Sequence, residues 1–189
     1  DNIDLNIVKM LKEYGVTTVE LGVQSLDNKV LSLSERGYRK EEVERAVKLL
    51  KDFQIEVGIQ IMPGLPGSSF KSDLQTVKEV IEMKPNFTRV YPTLVISDTK
   101  LEKMFKNNEF VPLSLDEAVD LTSGIIAMLE NCKIPIIRVG LQPSEDIREE
   151  GVIVAGPFHP AFRELCESNI YRLFFEEKLI TCEKIIVKR

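Results

Sequence analysis

Apolar and polar residues alternate without a break through Thr17 to Gln24, with Val19, Leu21 and Val23 on one side and Glu20, Gly22 and Gln24 on the other. The pattern returns in Ile55 to Met62, where Ile55, Val57, Ile59 and Ile61 oppose Glu56, Gly58 and Gln60. It returns again in Ile134 to Gln142, where Ile137, Val139 and Leu141 oppose Arg138, Gly140 and Gln142. A further strand is predicted over Thr88 to Ile96. Helical segments separate these strands, so the sheet is expected to be parallel. A parallel sheet covered on both faces reads as nearly continuous Val, Ile and Leu, whereas here one face is polar and carries a glycine in mid-strand. That combination predicts an α/β fold of parallel strand-helix units forming a partial, half-open barrel of the TIM type. Helices cover its outside, and its inside holds a polar ligand close to the backbone.

The helices carry signals of their own. Residues 2 to 14 put Ile3, Ile7, Met10, Leu11 and Tyr14 on one stripe and stop at Gly15. Asp27 is placed to cap a short helix through Ser34, and Lys40 to Phe53 is amphipathic through Val43, Ala46, Val47, Leu50 and Phe53. Beyond the loop Pro63 to Ser69, a helix is predicted from Phe70 to Met83, with Ser69 as its cap and Pro85 closing it. A short helix follows over 99–107. Leu115 to Glu130 is a longer one, capped at Ser114, with Ala118, Val119, Thr122, Ile125, Ile126 and Leu129 facing inward. The pattern then changes to a polar loop from Pro143 to Gly151, the run Val152 to Pro160, a helix to Leu179 and a strand-like alternation from Glu183 to Arg189. Residues 1–142 are therefore expected to form the barrel part, and residues 143–189 a small C-terminal extension too short to build a core alone.

Charge narrows the partners. With 25 basic and 30 acidic residues the net charge is -5, which leaves no electrostatic footprint for non-specific binding to nucleic acid or an anionic membrane. No apolar run approaches the roughly 20 residues needed to cross a bilayer, and the first residues lack a signal-peptide pattern. The expected compartment is the cytoplasm, with no membrane partner. Cys132, Cys166 and Cys182 are odd in number and widely spaced, which fits free thiols rather than a disulfide framework or a metal motif, and no metal ligand is assigned. A helical pattern already under way at residue 1 and an unmatched strand at the end read as a piece of a longer protein.

In parallel barrels the working face lies where strands run into their following loops. Glu20, Gln24, Gln60, Tyr91, Arg138 and Gln142 are the polar residues that this rule selects. Arg138, inside a strand, is expected to be buried or cavity-facing and to pair with Glu20, Glu56 or a substrate group. The loop Met62-Pro63-Gly64-Leu65-Pro66-Gly67-Ser68-Ser69 fixes an unusual path with uncovered amides and is expected to form one wall of a site. His159, the only histidine, lies between Phe158 and Pro160 in a tight segment and is expected to make a structural hydrogen bond.

Glu20-Leu21-Gly22-Val23-Gln24-Ser25-Leu26 with Glu35-Arg36-Gly37-Tyr38, then Gln60 to Gly67, then Arg89 to Val95 with Thr99-Lys100-Leu101, resemble the later half of a radical S-adenosylmethionine (SAM) enzyme. The branch is the one that includes the catalytic subunit of Elongator and oxygen-independent coproporphyrinogen III oxidase. Val139 to Pro143 and Ala155 to Phe162 resemble the C-terminal extension of bacterial Elongator-like members. The resemblance implies SAM and a four-iron four-sulfur cluster as cofactors, and reductive cleavage of SAM to a 5'-deoxyadenosyl radical. It implies a tRNA or a tetrapyrrole-like substrate, and a reductant protein for the cluster. The family's CxxxCxxC cluster motif is absent from this sequence, so the ligands are expected outside it and the chain alone is expected to be inactive. Carried over by motif, Gln24 approaches the ribose or methionine moiety of SAM, Arg36 its carboxylate, and Gln60 the ribose, where many relatives have Asp. Glu20 and Tyr91 complete the expected cofactor contacts, Tyr38 stands where relatives often have His, and no catalytic residue is assigned.

Two other readings compete. A conventional barrel lyase or hydrolase would use Glu20 and Glu56 as acid and base and would turn over without SAM. A binding or scaffold module would hold RNA or protein on the polar face without chemistry.

Overall fold

The structure, a computed structural model, describes residues 3–141 and 152–181. Helix α1 (Leu5–Glu13) begins where the Asp4 carboxylate accepts the Ile7 amide and ends before Gly15, whose φ is 74°. Strand β1 (Thr18–Gln24) leads to α2 (Asn28–Leu33), capped by Asp27, and to α3 (Lys40–Asp52). Next come β2 (Glu56–Ile61) and α4 (Phe70–Met83), the latter with Ser69 and Ser72 forming a reciprocal cap. They are followed by β3 (Phe87–Val90), β4 (Val95–Ile96), α5 (Lys100–Lys106) and α6 (Leu115–Asn131). Strands β5 (Ile136–Val139) and β6 (Ile153–Ala155) precede the long α7 (Phe162–Thr181).

Strands β1, β2, β3 and β5 form one parallel sheet in that order. Val57, Ile59 and Ile61 of β2 and Val90 of β3 lie fully buried in one cluster with Val43, Val47 and Leu50 of α3, Val77 and Val80 of α4, and Leu121, Ile125 and Leu129 of α6. The apolar half of the β1 and β2 alternations is thus the half the helices cover. Sheet registry sets Gly22 beside Gln60, Gln60 beside Arg89 and Arg89 beside Arg138, so the polar halves share the opposite face. The described part of the tail packs on this frame. β6 pairs antiparallel with β4, and Phe162 and Cys166 of α7 join Ala118 and Ile126 of α6 and Val139 of β5 in a second cluster.

Three expectations are corrected. The strand over Thr88 to Ile96 is two, because Pro92 has no amide to donate to the ladder, and Thr93 donates to the Pro63 carbonyl at 2.9 Å. Of the strand expected over Ile134 to Gln142, Ile136 to Val139 is strand among the described residues, and its register slips where Thr88 faces Ile136 but Arg89 faces Arg138. One extra residue on β5 reverses the parity, so Ile137, expected on the helix-covered face, is 50% exposed, while Ile136 packs on the core. Arg138 is exposed rather than buried, because β5 is an edge of the sheet among the described residues. Gln142, the loop Pro143 to Gly151, Cys182 and the strand-like run Glu183 to Arg189 lie outside the described residues.

Candidate functional site

The polar face is built in layers. Lowest, the Phe87 ring covers Gly58: a Cβ at Gly58 would stand 2.2 Å from two ring carbons, so this glycine makes room for a neighbouring side chain rather than for a ligand. Above it the Glu20 carboxylate pairs with the Arg89 guanidinium at 3.3 Å, reaching from β1 to β3 across β2, and both side chains are largely sheltered. Arg89, not Arg138, is therefore the partner of Glu20. Its place was legible in the alternation Thr88-Arg89-Val90, with Thr88 and Val90 fully buried on the helix side.

The upper layer lies at the C-terminal edge of the sheet. Gln60 Nε2 donates to Gln24 Oε1 at 3.3 Å. The amide of Gln24 folds back over Gly22, where a Cβ would meet Gln24 Nε2 at 2.7 Å, and a guanidinium nitrogen of Arg36 lies 3.9 Å from the same point. Gly22 thus lets two polar side chains approach one stretch of backbone. Gln24 is only 6% exposed and has a φ of 62°, a left-handed conformation uncommon outside glycine. It sits at a β-bulge against β2, with the Ser25 amide turning back to the Val23 carbonyl at 2.7 Å and the Gln24 carbonyl accepting from Met62 at 2.8 Å. Such a conformation costs about 1–3 kcal/mol and persists only where its surroundings over-determine it, and residues of this kind cluster at working sites. Tyr91 follows β3 directly and its amide donates to the Ile61 carbonyl at 2.9 Å. Continuing the alternation of Phe87 and Arg89 puts it on the polar face.

Arg36 is exposed on the loop between α2 and α3, and its guanidinium lies 6.0 Å from the centre of the Tyr38 ring. The Tyr38 hydroxyl donates to the carbonyls of Gly22 at 2.7 Å and Val23 at 3.0 Å.

The loop after β2 is held from within. The Gly64 amide and the Ser68 hydroxyl both donate to Asp73 Oδ2, at 2.9 and 3.2 Å, and Thr93 Oγ1 donates to the Pro63 carbonyl at 3.0 Å. The amide expected to be uncovered at Gly64 is therefore already engaged. Burial pushes the Asp73 carboxyl up to about 6, opposed by these two hydrogen bonds. Asp73 lies inside a helical run and carried no signal in the sequence. His159 Nδ1 accepts the Ala161 amide at 3.1 Å, the structural bond expected of it.

The two carboxylates of the acid-base reading do not converge. Glu56 is exposed at the start of β2, where it accepts from Thr18 Oγ1 at 3.2 Å, and Glu20 is already paired with Arg89. Nor do the described residues fit an iron-sulfur cluster, since no three His, Cys, Asp or Glu side chains among them converge. Cys132 lies at the end of α6, on the edge of the sheet opposite Gln24 and Gln60. Cys166 is buried, its thiol pushed up to about 12 chiefly by desolvation. Among the described residues no helix is long and apolar enough to cross a membrane.

A parallel sheet with helices on one face and glutamine, arginine and glutamate gathered on the other defines a partial barrel with a polar interior side. Residues 2–80 match the radical SAM superfamily, and residues 85–172 match the radical SAM C-terminal domain. The chain belongs to the radical SAM superfamily. It is 42% identical over 120 residues to a tRNA uridine(34) acetyltransferase of Methanocaldococcus infernus, a match covering 62% of this chain and 22% of that protein. It is 36% identical over 124 residues to Elongator complex protein 3 of Saccharomyces cerevisiae, covering 64% and 22%. The matches thus span about a fifth of the length of these relatives. Among solved structures, the archaeal Elp3 of Methanocaldococcus infernus with an N-terminal deletion superposes with a TM-score of 0.78 at 32% identity, over 91% of this chain and 40% of that one. Coproporphyrinogen III oxidase from Escherichia coli, a radical SAM enzyme, shares the fold at a TM-score of 0.61 and 20% identity, over 69% and 30%.

Proposed function

We propose that this chain is part of a radical SAM enzyme acting on tRNA, and that its upper polar layer holds SAM. The observation that carries the reading is the convergence of Gln24, Gln60 and Arg36 on the backbone of Gly22 at the C-terminal edge of a parallel sheet. The donor set suits the molecule. A guanidinium offers paired donors to the methionyl carboxylate, and the two amides offer donors and acceptors to ribose hydroxyls. Gln60 braces Gln24 through one hydrogen bond, which uses only part of the donor and acceptor capacity of the two amides. Glu20, engaged by Arg89, acts in this scheme as the floor of the site, and Tyr91 as its side.

SAM, with a four-iron four-sulfur cluster, supplies the means to abstract hydrogen from an unactivated carbon. The contribution of this chain is to bind, orient and exclude water. Because the described cysteines do not fit a cluster, its ligands are assigned elsewhere, and a reductant protein is the expected electron donor. The substrate is assigned as tRNA because relatives at 42% and 41% identity are tRNA uridine(34) acetyltransferases, whereas the likeness to coproporphyrinogen III oxidase is one of fold. The same reading places the protein in the cytoplasm. It also divides the chain into a barrel part, 1–142, and an extension, 143–189, whose α7 leans on α6.

Calorimetric titration of SAM into the intact, anaerobically reconstituted protein tests this reading. Losing a charge-assisted hydrogen bond costs about 1.5–3 kcal/mol, so Arg36→Ala is expected to weaken SAM roughly ten- to a hundredfold. Equal affinities in wild type and variant would remove Arg36 from the site and overturn the reading.

A further inference from the structure

Tyr38 touches both halves of the proposed SAM site. In a regular strand consecutive carbonyls point to opposite sides. At the end of β1 those of Gly22 and Val23 both turn to the Tyr38 hydroxyl, whose single proton is shared between them at 2.7 and 3.0 Å. The next residue is Gln24, with its φ of 62° and its side chain laid back over Gly22. The hydroxyl therefore fastens the backbone that presents Gln24. The ring of the same residue lies 6.0 Å from the guanidinium of Arg36, at the outer range of a cation–π contact, two positions earlier in its own loop. That loop is tied down on its other side by the ion pair of Glu35 with Lys100 at the start of α5.

We infer that Tyr38 is the positioning residue of the SAM site, locking the strained end of β1 through its hydroxyl and steering Arg36 toward the methionyl carboxylate through its ring. The inference rests on the reading that Arg36 and Gln24 hold SAM, and it adds the device that sets their spacing. Hydroxyl and ring act on different partners, so their effects separate. Removing the hydroxyl loosens Gln24 for any ligand that shares the nucleoside part, whereas removing the ring frees Arg36 and matters only when a carboxylate is present.

The test is calorimetry on the intact protein with SAM and with 5'-methylthioadenosine, which keeps the adenosine and lacks the carboxylate. Tyr38→Phe is expected to weaken both ligands about threefold to tenfold. Tyr38→Leu is expected to weaken SAM further, by about tenfold beyond Tyr38→Phe, with no further loss for 5'-methylthioadenosine. Combining Tyr38→Leu with Arg36→Ala should cancel that extra loss, because the ring then has nothing to steer. Melting temperatures of the variants report folding independently, and Tyr38→Phe keeps the test open where Tyr38→Leu does not fold. Wild-type affinity for SAM in Arg36→Ala would overturn this inference together with the reading beneath it. Loss of SAM in Arg36→Ala alongside wild-type binding in both Tyr38 variants would overturn the role of Tyr38 alone. So would losses that are equal for the two ligands and additive with Arg36→Ala.

Discussion

Asp73, 5% exposed, is the buried carboxylate from which the loop after β2 hangs. Its carboxyl is raised from 3.8 to about 6 because burial penalises the charged form. The folded state therefore favours the protonated acid. The stability this group adds is complete below about pH 4 and is lost as pH rises through about 6, a swing of about 3 kcal/mol. Asp73→Asn keeps an acceptor oxygen and cannot ionise. Its melting temperature should match wild type near pH 4 and exceed it at pH 7.5, and parallel melting curves across that window would refute the assignment. Gly58 offers a second test at this scale. Gly58→Ala drives a methyl into the Phe87 ring and is expected to cost about 1–3 kcal/mol in urea unfolding, part of which Phe87→Leu should restore.

Among the elements, α7 shows how the chain beyond β5 is fastened. Phe162 is buried between α6 and β5, the Ser123 hydroxyl donates to the Cys166 carbonyl at 3.0 Å, and Asn169 donates to Asp120 and Ser123 at 3.0 and 3.2 Å. Phe162→Ala removes the largest apolar contact of this seam and should cost about 3–5 kcal/mol in chemical denaturation. A loss below about 1 kcal/mol would mean that α7 is not part of the cooperative unit. The strands divide differently. β2 follows its sequence pattern position by position, because both of its neighbours fix the register. β5 does not, because its one-residue slip against β3 could not be seen in Ile134 to Gln142 alone.

At the scale of the whole molecule, the helices cover one face of the sheet while the polar face keeps Gly22 and Arg138 exposed. Parallel sheets are ordinarily covered on both sides, so this face is where cofactor and substrate are expected. The sequence has no CxxxCxxC run. With iron, sulfide and a strong reductant supplied, this chain alone should therefore develop no iron-sulfur absorption and cleave no SAM, as read by chromatography of the nucleoside products. Appearance of 5'-deoxyadenosine would show that the chain itself holds a competent cluster.

Local rules were enough for the helices, the caps at Asp27, Ser69 and Ser114, the apolar faces of β1 and β2 and the candidates Gln24 and Gln60, whereas Arg36 came from the resemblance. Alternation and capping act over a few residues, and the resemblance supplied the roles. Tertiary structure alone decided what those residues meet. It gave Glu20 to Arg89 rather than Arg138, filled the space over Gly58 with Phe87, tied the Gly64 amide to Asp73, and joined Tyr38 to both β1 and Arg36. The contacts of Glu20 with Arg89, of Gly58 with Phe87 and of Tyr38 with β1 join segments apart in the chain, set by how the strands and loops pack, and no local pattern records the partner on the far side.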